Sequence, residues 1–177
     1  VGSEMCIRDR WVPGDTNGVQ LDPNVEKIAQ VIMPAIMETW EAEDDRTAAI
    51  EICQSFASCL NKCGPGLISP QWIEPTCQLT MQILEKKAPS QIDPEADEDE
   101  ETEDSSEYES VLISAAMDLV GAMAYVLCDS FMTPMRQFLP LLCKYYSPGR
   151  SVTDRATAIG SLGEITVNMK RAITPFT

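Results

Sequence analysis

One short pattern occurs twice, each time at the start of a helix-length segment, and it constrains the fold more than any other feature. Residues 45–50 read Asp-Arg-Thr-Ala-Ala-Ile, and residues 154–159 read Asp-Arg-Ala-Thr-Ala-Ile. Each copy follows a helical segment with an internal proline, Pro34 or Pro140. A proline-kinked helix, a turn and a second helix with a fixed opening form the unit of a stacked helical repeat, which predicts an α-solenoid. The alternative is that two Asp-Arg helix starts arose by chance, because Asp is a favoured N-cap.

Apolar residues recur at helical spacing in six segments, and no alternating run bounded by turns indicates a strand. In the first segment this stripe is Val25, Ile28, Ala29, Ile32, Ile36 and Trp40. Gly-Pro-Gly at 64–66, Pro89 and Ser-Pro-Gly at 147–149 separate segments. The predicted helices span about 23–40, 46–62, 72–87, 108–128, 131–146 and 153–173. We therefore expect an all-α fold of three antiparallel helix pairs.

The pairs divide the chain into three repeats, 22–66, 67–128 and 129–177, with an acidic insertion at 89–107 inside the second. Residues 11–21 contain Gly, Pro and Asn and are predicted to form a loop. Residues 1–10, VGSEMCIRDR, share no periodicity with the rest of the chain and read as the in-frame translation of a sequencing adapter. We expect them to be non-native, and the chain to be a piece of a longer protein.

The acidic charge of the chain is concentrated in one stretch. The formal net charge is −15, and residues 93–109 hold eleven acidic residues and no basic one. Removing these eleven charges leaves −4 for the rest, an ordinary surface. A block of this kind is either a solvated, solubilising linker or an attractive surface for Lys/Arg-rich partners. Direct nucleic-acid binding is not expected, because phosphate contacts need a basic patch.

Catalytic and metal chemistry have little support in the sequence. The chain has seven Cys and no His, so no Ser or Cys nucleophile has a histidine base. Cys59 and Cys63 share a helix face, but a zinc site needs further ligands, and we expect reduced structural thiols and no cofactor or metal. Residues 111–128 are apolar enough to span a membrane. Asp118 near their centre and the lack of flanking Lys or Arg favour a helix buried among other helices.

The repeat pattern resembles HEAT repeats, and residues 106–165 resemble the importin-β (karyopherin-β) family. The matching pieces are Glu-Tyr-Glu at 107–109, Asp-Ser-Phe at 129–131, Phe-Leu-Pro-Leu-Leu at 138–142, and Asp154-Arg155 followed by Ala-Ile-Gly at 158–160, together with the acidic insertion. Within the family the chain most resembles the importin-4 branch. The likeness covers about residues 22–177 and is looser before residue 70.

The resemblance implies a right-handed superhelix of HEAT repeats, of which this chain supplies about three, and a role in nuclear import without catalysis. The family's partners would be basic protein cargo such as ribosomal proteins and histones, phenylalanine-glycine nucleoporins, and the GTPase Ran, which binds mainly N-terminal repeats and releases cargo. Such a receptor shuttles between cytoplasm and nucleus, without membrane insertion. The alternative is a HEAT scaffold of a phosphatase or a chromosome-structure complex.

Two groups of residues are candidates for cargo binding. In the family, second helices of each pair line the inner surface, which implies roles for Glu51, Asp118, Glu164 and Asn168; an ordinary solvated helix face is the alternative. Trp40 and Trp72 are expected to pack between repeats rather than bind cargo. The second group is the acidic run, whose members are Asp93, Glu95, Asp97, Glu98, Asp99, Glu100, Glu101, Glu103, Asp104, Glu107 and Glu109.

Overall fold

The computed structural model describes residues 23–92 and 103–176, with the side chains of 103–106 and 170–172 excepted. The expectations for the first ten residues, for the loop at 11–21 and for the centre of the acidic run lie outside the described residues. Six α-helices account for most of the described chain, and no strand occurs within it. The helices are α1 (Pro23–Ala42), α2 (Arg46–Cys63), α3 (Pro70–Leu84), α4 (Glu103–Leu127), α5 (Met132–Tyr145) and α6 (Val152–Met169).

The helices form two layers. In one layer α4 lies between α2 and α6, and in the other α3 lies between α1 and α5. Helix α3 also packs on α4, and α5 packs on α6, so consecutive helices join the layers. This arrangement confirms the prediction of an all-α, HEAT-type solenoid, in which each pair buries its apolar side against the next.

Helix α4 is the centre of the core. Leu112, Leu119 and Met123 have no exposed surface, and Ala115 and Ala116 let the neighbouring helices approach closely. By length and composition this part of the chain could cross a membrane, but 67% of its apolar window is buried inside the protein. The burial supports the interpretation of α4 as the core helix of a helical stack.

The two copies of the Asp-Arg pattern begin their helices differently. Asp45 is the N-cap of α2, and its carboxylate accepts a hydrogen bond from the backbone N–H of Ala48 at 2.8 Å. Helix α6 begins two residues earlier in its pattern, at Val152, so Asp154 lies in its first turn. There the hydroxyl of Ser151 accepts from the N–H of Asp154 at 3.0 Å. A preceding serine thus takes the capping role expected of Asp154.

The buried face of α1 differs from the predicted stripe. Met33, Met37 and Trp40 are buried, whereas Ile28 and Ile32 are 56% and 45% exposed. Trp40 is buried as expected and packs edge-on against Phe56 of α2, with the ring centroids 6.4 Å apart. This contact lies within the predicted repeat 22–66, whereas packing between repeats was expected. The stripe prediction was wrong for the two isoleucines, because α1 has apolar residues on two sides and the described helices cover one of them.

The bounds around the acidic insertion also differ from those expected. Helix α3 ends at Leu84 rather than near residue 87, and α4 begins at Glu103 rather than near residue 108. Pro89–Gln91 form a short 3₁₀ turn in which Ser90 is buried and its carbonyl accepts from Nε of Arg46 at 3.0 Å. The first residues of the predicted insertion therefore pack against α2, and its last residues belong to α4.

Candidate functional site

The structure separates the acidic run into three parts. Seven of its acids, Asp93, Glu95, Asp97, Glu98, Asp99, Glu100 and Glu101, lie outside the described residues. Glu103 and Asp104 belong to α4, but their side chains lie outside the described part of the chain. Glu107 and Glu109 follow on the same helix, with Glu107 exposed and Glu109 half-buried.

Glu109 is held by contacts within the protein, which differs from the expected solvated acid. Its carboxylate accepts a hydrogen bond from Nε2 of Gln91 at 3.0 Å and lies 3.4 Å from Nζ of Lys86. The same Gln91 amide donates to the carbonyl of Ile83 at 3.1 Å. Glu109 therefore joins the start of α4 to the end of α3. This structural role comes before any role in binding a partner.

A second group of candidates comes together where α4 and α6 pack. Asn168 of α6 donates from Nδ2 to the carbonyl of Gly121 on α4 at 3.3 Å. The carboxylate of Glu164, one turn earlier on α6, lies over the same glycine, and a Cβ at position 121 would be 3.3 Å from its Oε2. Gly121 therefore allows both α6 side chains to reach across to α4. We call Asp118, Glu164 and Asn168 the α4–α6 acidic site.

The electrostatics of this site show two carboxylates that repel each other. Asp118 is among the exposed residues, yet partial desolvation of its carboxylate and the nearby Glu164 carboxylate raise its pKa. No basic side chain of the described chain is ion-paired with either acid. A Lys or Arg from a partner would relieve this repulsion.

Glu51 lies apart from the α4–α6 acidic site. It borders an apolar groove between α1 and α2, with a volume of about 460 Å³. Ile28, Ile32 and Phe56 line the groove. The sequence did not reveal it, because Ile28 and Ile32 were interpreted only as part of the apolar stripe of one helix. The groove places Glu51 beside apolar rather than acidic neighbours.

The thiols divide into buried and exposed groups. Burial raises the pKa of Cys53 and of Cys77 to about 12, so both stay protonated at neutral pH. Cys59 and Cys143 are exposed, contrary to the expectation for structural thiols. Cys59 and Cys63 both line the α1–α2 groove. Within the described chain, no three His, Cys, Asp or Glu residues are grouped as a metal would require.

Comparison with known proteins identifies the family. No family model matches the chain. It is 31% identical to a probable importin subunit beta-4 of Schizosaccharomyces pombe over 98% of this chain and 17% of that protein. It is 27% identical to importin-4 of Mus musculus, over 81% of this chain and 14% of the relative. Importin-4 of Homo sapiens is 26% identical over 75% of this chain and 12% of the relative.

The chain thus spans less than a fifth of the length of these curated relatives, which fits the expectation of a piece of a longer protein. The two-layered helical fold agrees with the sequence similarity, since both point to a helical repeat protein. The chain belongs to the importin-β family, on its importin-4 branch.

Proposed function

We propose that this part of the protein contributes a binding surface for basic cargo to a nuclear import receptor. The observation that carries the proposal is the α4–α6 acidic site. Partial burial and then the nearby Glu164 carboxylate raise the pKa of Asp118, and neither acid is ion-paired with a cation of the described chain. Two repelling acids on an exposed helix face gain more from a bound Lys or Arg than either acid alone.

The acidic run supports the same proposal from the sequence. Eleven acids within residues 93–109 create a local negative field in the body of the protein, which would speed the encounter with Lys/Arg-rich proteins. The last acids of the run belong to α4, the helix that also carries Asp118. Long-range attraction by the run and short-range contact at the α4–α6 acidic site would act on the same cargo, of which ribosomal proteins and histones are the expected classes.

The test compares two double variants with the same loss of charge. Asp118→Asn with Glu164→Gln removes the α4–α6 acidic site, and Glu38→Gln with Glu41→Gln removes two exposed acids of α1. A lysine-rich histone-tail peptide is titrated into each protein, and fluorescence anisotropy is measured at low salt. We expect about a three- to tenfold loss of affinity for the first variant, since exposed ion pairs contribute up to about 1 kcal/mol each. Equal affinities of the two variants would reject a specific role of the site.

Transport itself requires the longer protein. We propose that the full-length receptor shuttles between cytoplasm and nucleus, binds phenylalanine-glycine nucleoporins and releases its cargo when Ran-GTP binds elsewhere on the chain. The names of the relatives, importin-4 and importin subunit beta-4, support this role. A pull-down of the full-length protein with Ran bound to a non-hydrolysable GTP analogue tests it. Absence of Ran binding, together with retention of cargo, would favour a scaffold without transport activity.

A further inference from the structure

Four basic residues meet at one edge of this acidic protein. No Lys or Arg occurs from residue 88 to residue 135, and the fold brings basic residues from before and after this interval together. Lys86 and Lys87 follow the last turn of α3, Lys144 is in the last turn of α5, and Arg150 is in the turn before α6. All four line one cavity of about 190 Å³. We call these four residues the basic cluster.

The backbone at Lys86 has a conformation that normally selects glycine. The N–H of Lys86 bonds to the carbonyl of Ile83 at 3.0 Å, and the N–H of Lys87 bonds to the carbonyl of Gln82 at 2.8 Å. This is the hydrogen-bond pattern of a Schellman motif, whose left-handed position usually holds Gly. Lys86 occupies that position with φ of 60°. This backbone conformation disfavours residues with a side chain, and the Lys86 side chain lines the cavity of the basic cluster.

The cluster is built on a rigid support. The Tyr145 hydroxyl, from the last turn of α5, donates to the carbonyl of Leu84 at 2.7 Å and so joins α5 to the end of α3. Both residues are buried. The Arg150 guanidinium lies over the Tyr145 ring, 5.0 Å from its centroid, as a cation–π pair. The Arg150 guanidinium and the ends of α3 and α5, which carry the lysines, are thereby held near one another before any ligand arrives. This lowers the entropic cost of binding.

The cluster keeps excess positive charge after its internal pairs are counted. Glu85 lies 2.7 Å from Nζ of Lys87, and Glu109 lies 3.4 Å from Nζ of Lys86. Hydrogen bonding to Lys87 lowers the pKa of Glu85. Within the described residues, neither Lys144 nor Arg150 has an ion-pair partner. Since exposed ion pairs are weak, an anionic ligand can compete for all four cations.

The surroundings restrict which anion fits. A larger cleft of about 540 Å³ shares Lys86, Tyr145 and Arg150 with the cavity at the basic cluster, and Glu107 and Asp154 line it as well. These acids would repel the continuous negative charge of a nucleic acid or an anionic membrane. A protein segment with one localised negative group can avoid them. A single phosphoserine in an otherwise uncharged peptide segment has this charge distribution, and its phosphate can accept hydrogen bonds from several cations.

We propose that Lys86, Lys87, Lys144 and Arg150 form a binding site for a phosphorylated segment of a protein partner. The site lies beside the start of α4, where Glu109 of the acidic run pairs with Lys86, and its charge is opposite to that of the surfaces proposed for basic cargo. It gives a protein with a net charge of −15 one place where a negatively charged partner can bind.

The test uses a fluorescein-labelled peptide with one phosphoserine flanked by uncharged residues, and the same peptide with serine, titrated into the 177-residue protein. We expect the phosphopeptide to bind at least about tenfold more tightly. Lys144→Glu should lower its affinity at least about tenfold, because charge-assisted contacts are lost and repulsion is added. Lys62→Glu is the matched control, because Lys62 is also the basic residue in the last turn of its helix, α2, and should leave the affinity unchanged.

Lys86→Gly distinguishes an effect on phosphopeptide binding from an effect on folding stability. Glycine suits the left-handed backbone, so this variant should unfold at the same or a slightly higher urea concentration while binding the phosphopeptide several-fold more weakly. The proposal is overturned if the phosphorylated and unphosphorylated peptides bind equally, or if Lys62→Glu weakens binding as much as Lys144→Glu. Tighter binding of a single-stranded oligonucleotide or of anionic vesicles, lost in Lys144→Glu, would also overturn it in favour of another class of ligand.

Discussion

The hydrogen bond from Tyr145 to Leu84 offers a sharp test of how the helix pairs are joined. Tyr145 is 2% exposed, and Leu84 is 3% exposed. The Leu84 carbonyl belongs to the last turn of α3, where carbonyls lack partners within the helix. Tyr145→Phe keeps the ring and removes the donor, so this carbonyl loses its partner in a buried place. An unsatisfied buried polar group costs about 1–3 kcal/mol of folding free energy.

For a chain of this size, that loss corresponds to a fall in Tm of about 2–12 °C. The loss of folding free energy is measured by urea denaturation monitored by circular dichroism, with Tyr146→Phe as the control. Tyr146 is the neighbouring residue and is 50% exposed, so its hydroxyl can be solvated in the folded and unfolded states alike. We expect a change within about 0.5 kcal/mol for Tyr146→Phe.

The same bond predicts a pH dependence. Burial raises the pKa of Tyr145 from 10.0 to about 12. Because the folded pKa is above the unfolded one, the stabilisation is fully present below pH 10 and is lost as the pH rises from 10 to 12. Tyr145→Phe should therefore flatten the loss of stability in this window. Equal stability of Tyr145→Phe and Tyr146→Phe at pH 7, with identical alkaline profiles, would refute the assigned role of the bond.

Three further substitutions test the core and the α4–α6 acidic site. Asp118→Asn should raise the free energy of unfolding by about 0.2–0.5 kcal/mol at pH 7, the range for like-charge pairs. The raised pKa of Asp118 means that this gain disappears as the pH falls and the carboxyl protonates, which urea titrations at pH 7 and pH 4 would detect. Gly121→Ala should favour helix α4 by up to about 1 kcal/mol and displace the Glu164 carboxylate, so stability rises while anisotropy shows weaker binding of the histone-tail peptide. Phe138→Ala should cost about 3–5 kcal/mol in denaturation, because Phe138 is fully buried and stacked on Phe131 at 5.9 Å.

The sequence predicted the helices well where local signals mark their ends. Helix α2 lies within one residue of its expected bounds, since Asp45 caps its start and Gly64, with φ of 71°, follows its last residue. The end of α3 was missed because Lys86 takes the left-handed position that glycine usually marks. The start of α4 was missed because a charged run was interpreted as a linker, and such a run has no apolar periodicity that would mark a helix.

The candidate site was predicted in part. Asp118, Glu164 and Asn168 were selected because the family places second helices on its inner surface, but the approach of Glu164 and Asn168 to Gly121 depends on the packing of α4 on α6. The basic cluster was not predicted, because Lys87 and Lys144 are far apart in the chain and meet only through the packing of α3 with α5. A contact between distant residues of this kind leaves no periodic signal in one sequence.

If the acidic residues of this chain bind basic cargo, the affinity for that cargo depends strongly on salt concentration. The seven acids from Asp97 to Asp104 are replaced by their amides, and the affinity for a lysine-rich histone-tail peptide is measured from about 50 to 200 mM salt. We expect the wild-type affinity to fall steeply across this range, because screening weakens exposed charge interactions. The variant should bind at least about tenfold more weakly at low salt, with a shallower slope. An unchanged affinity and an unchanged slope would contradict the claim.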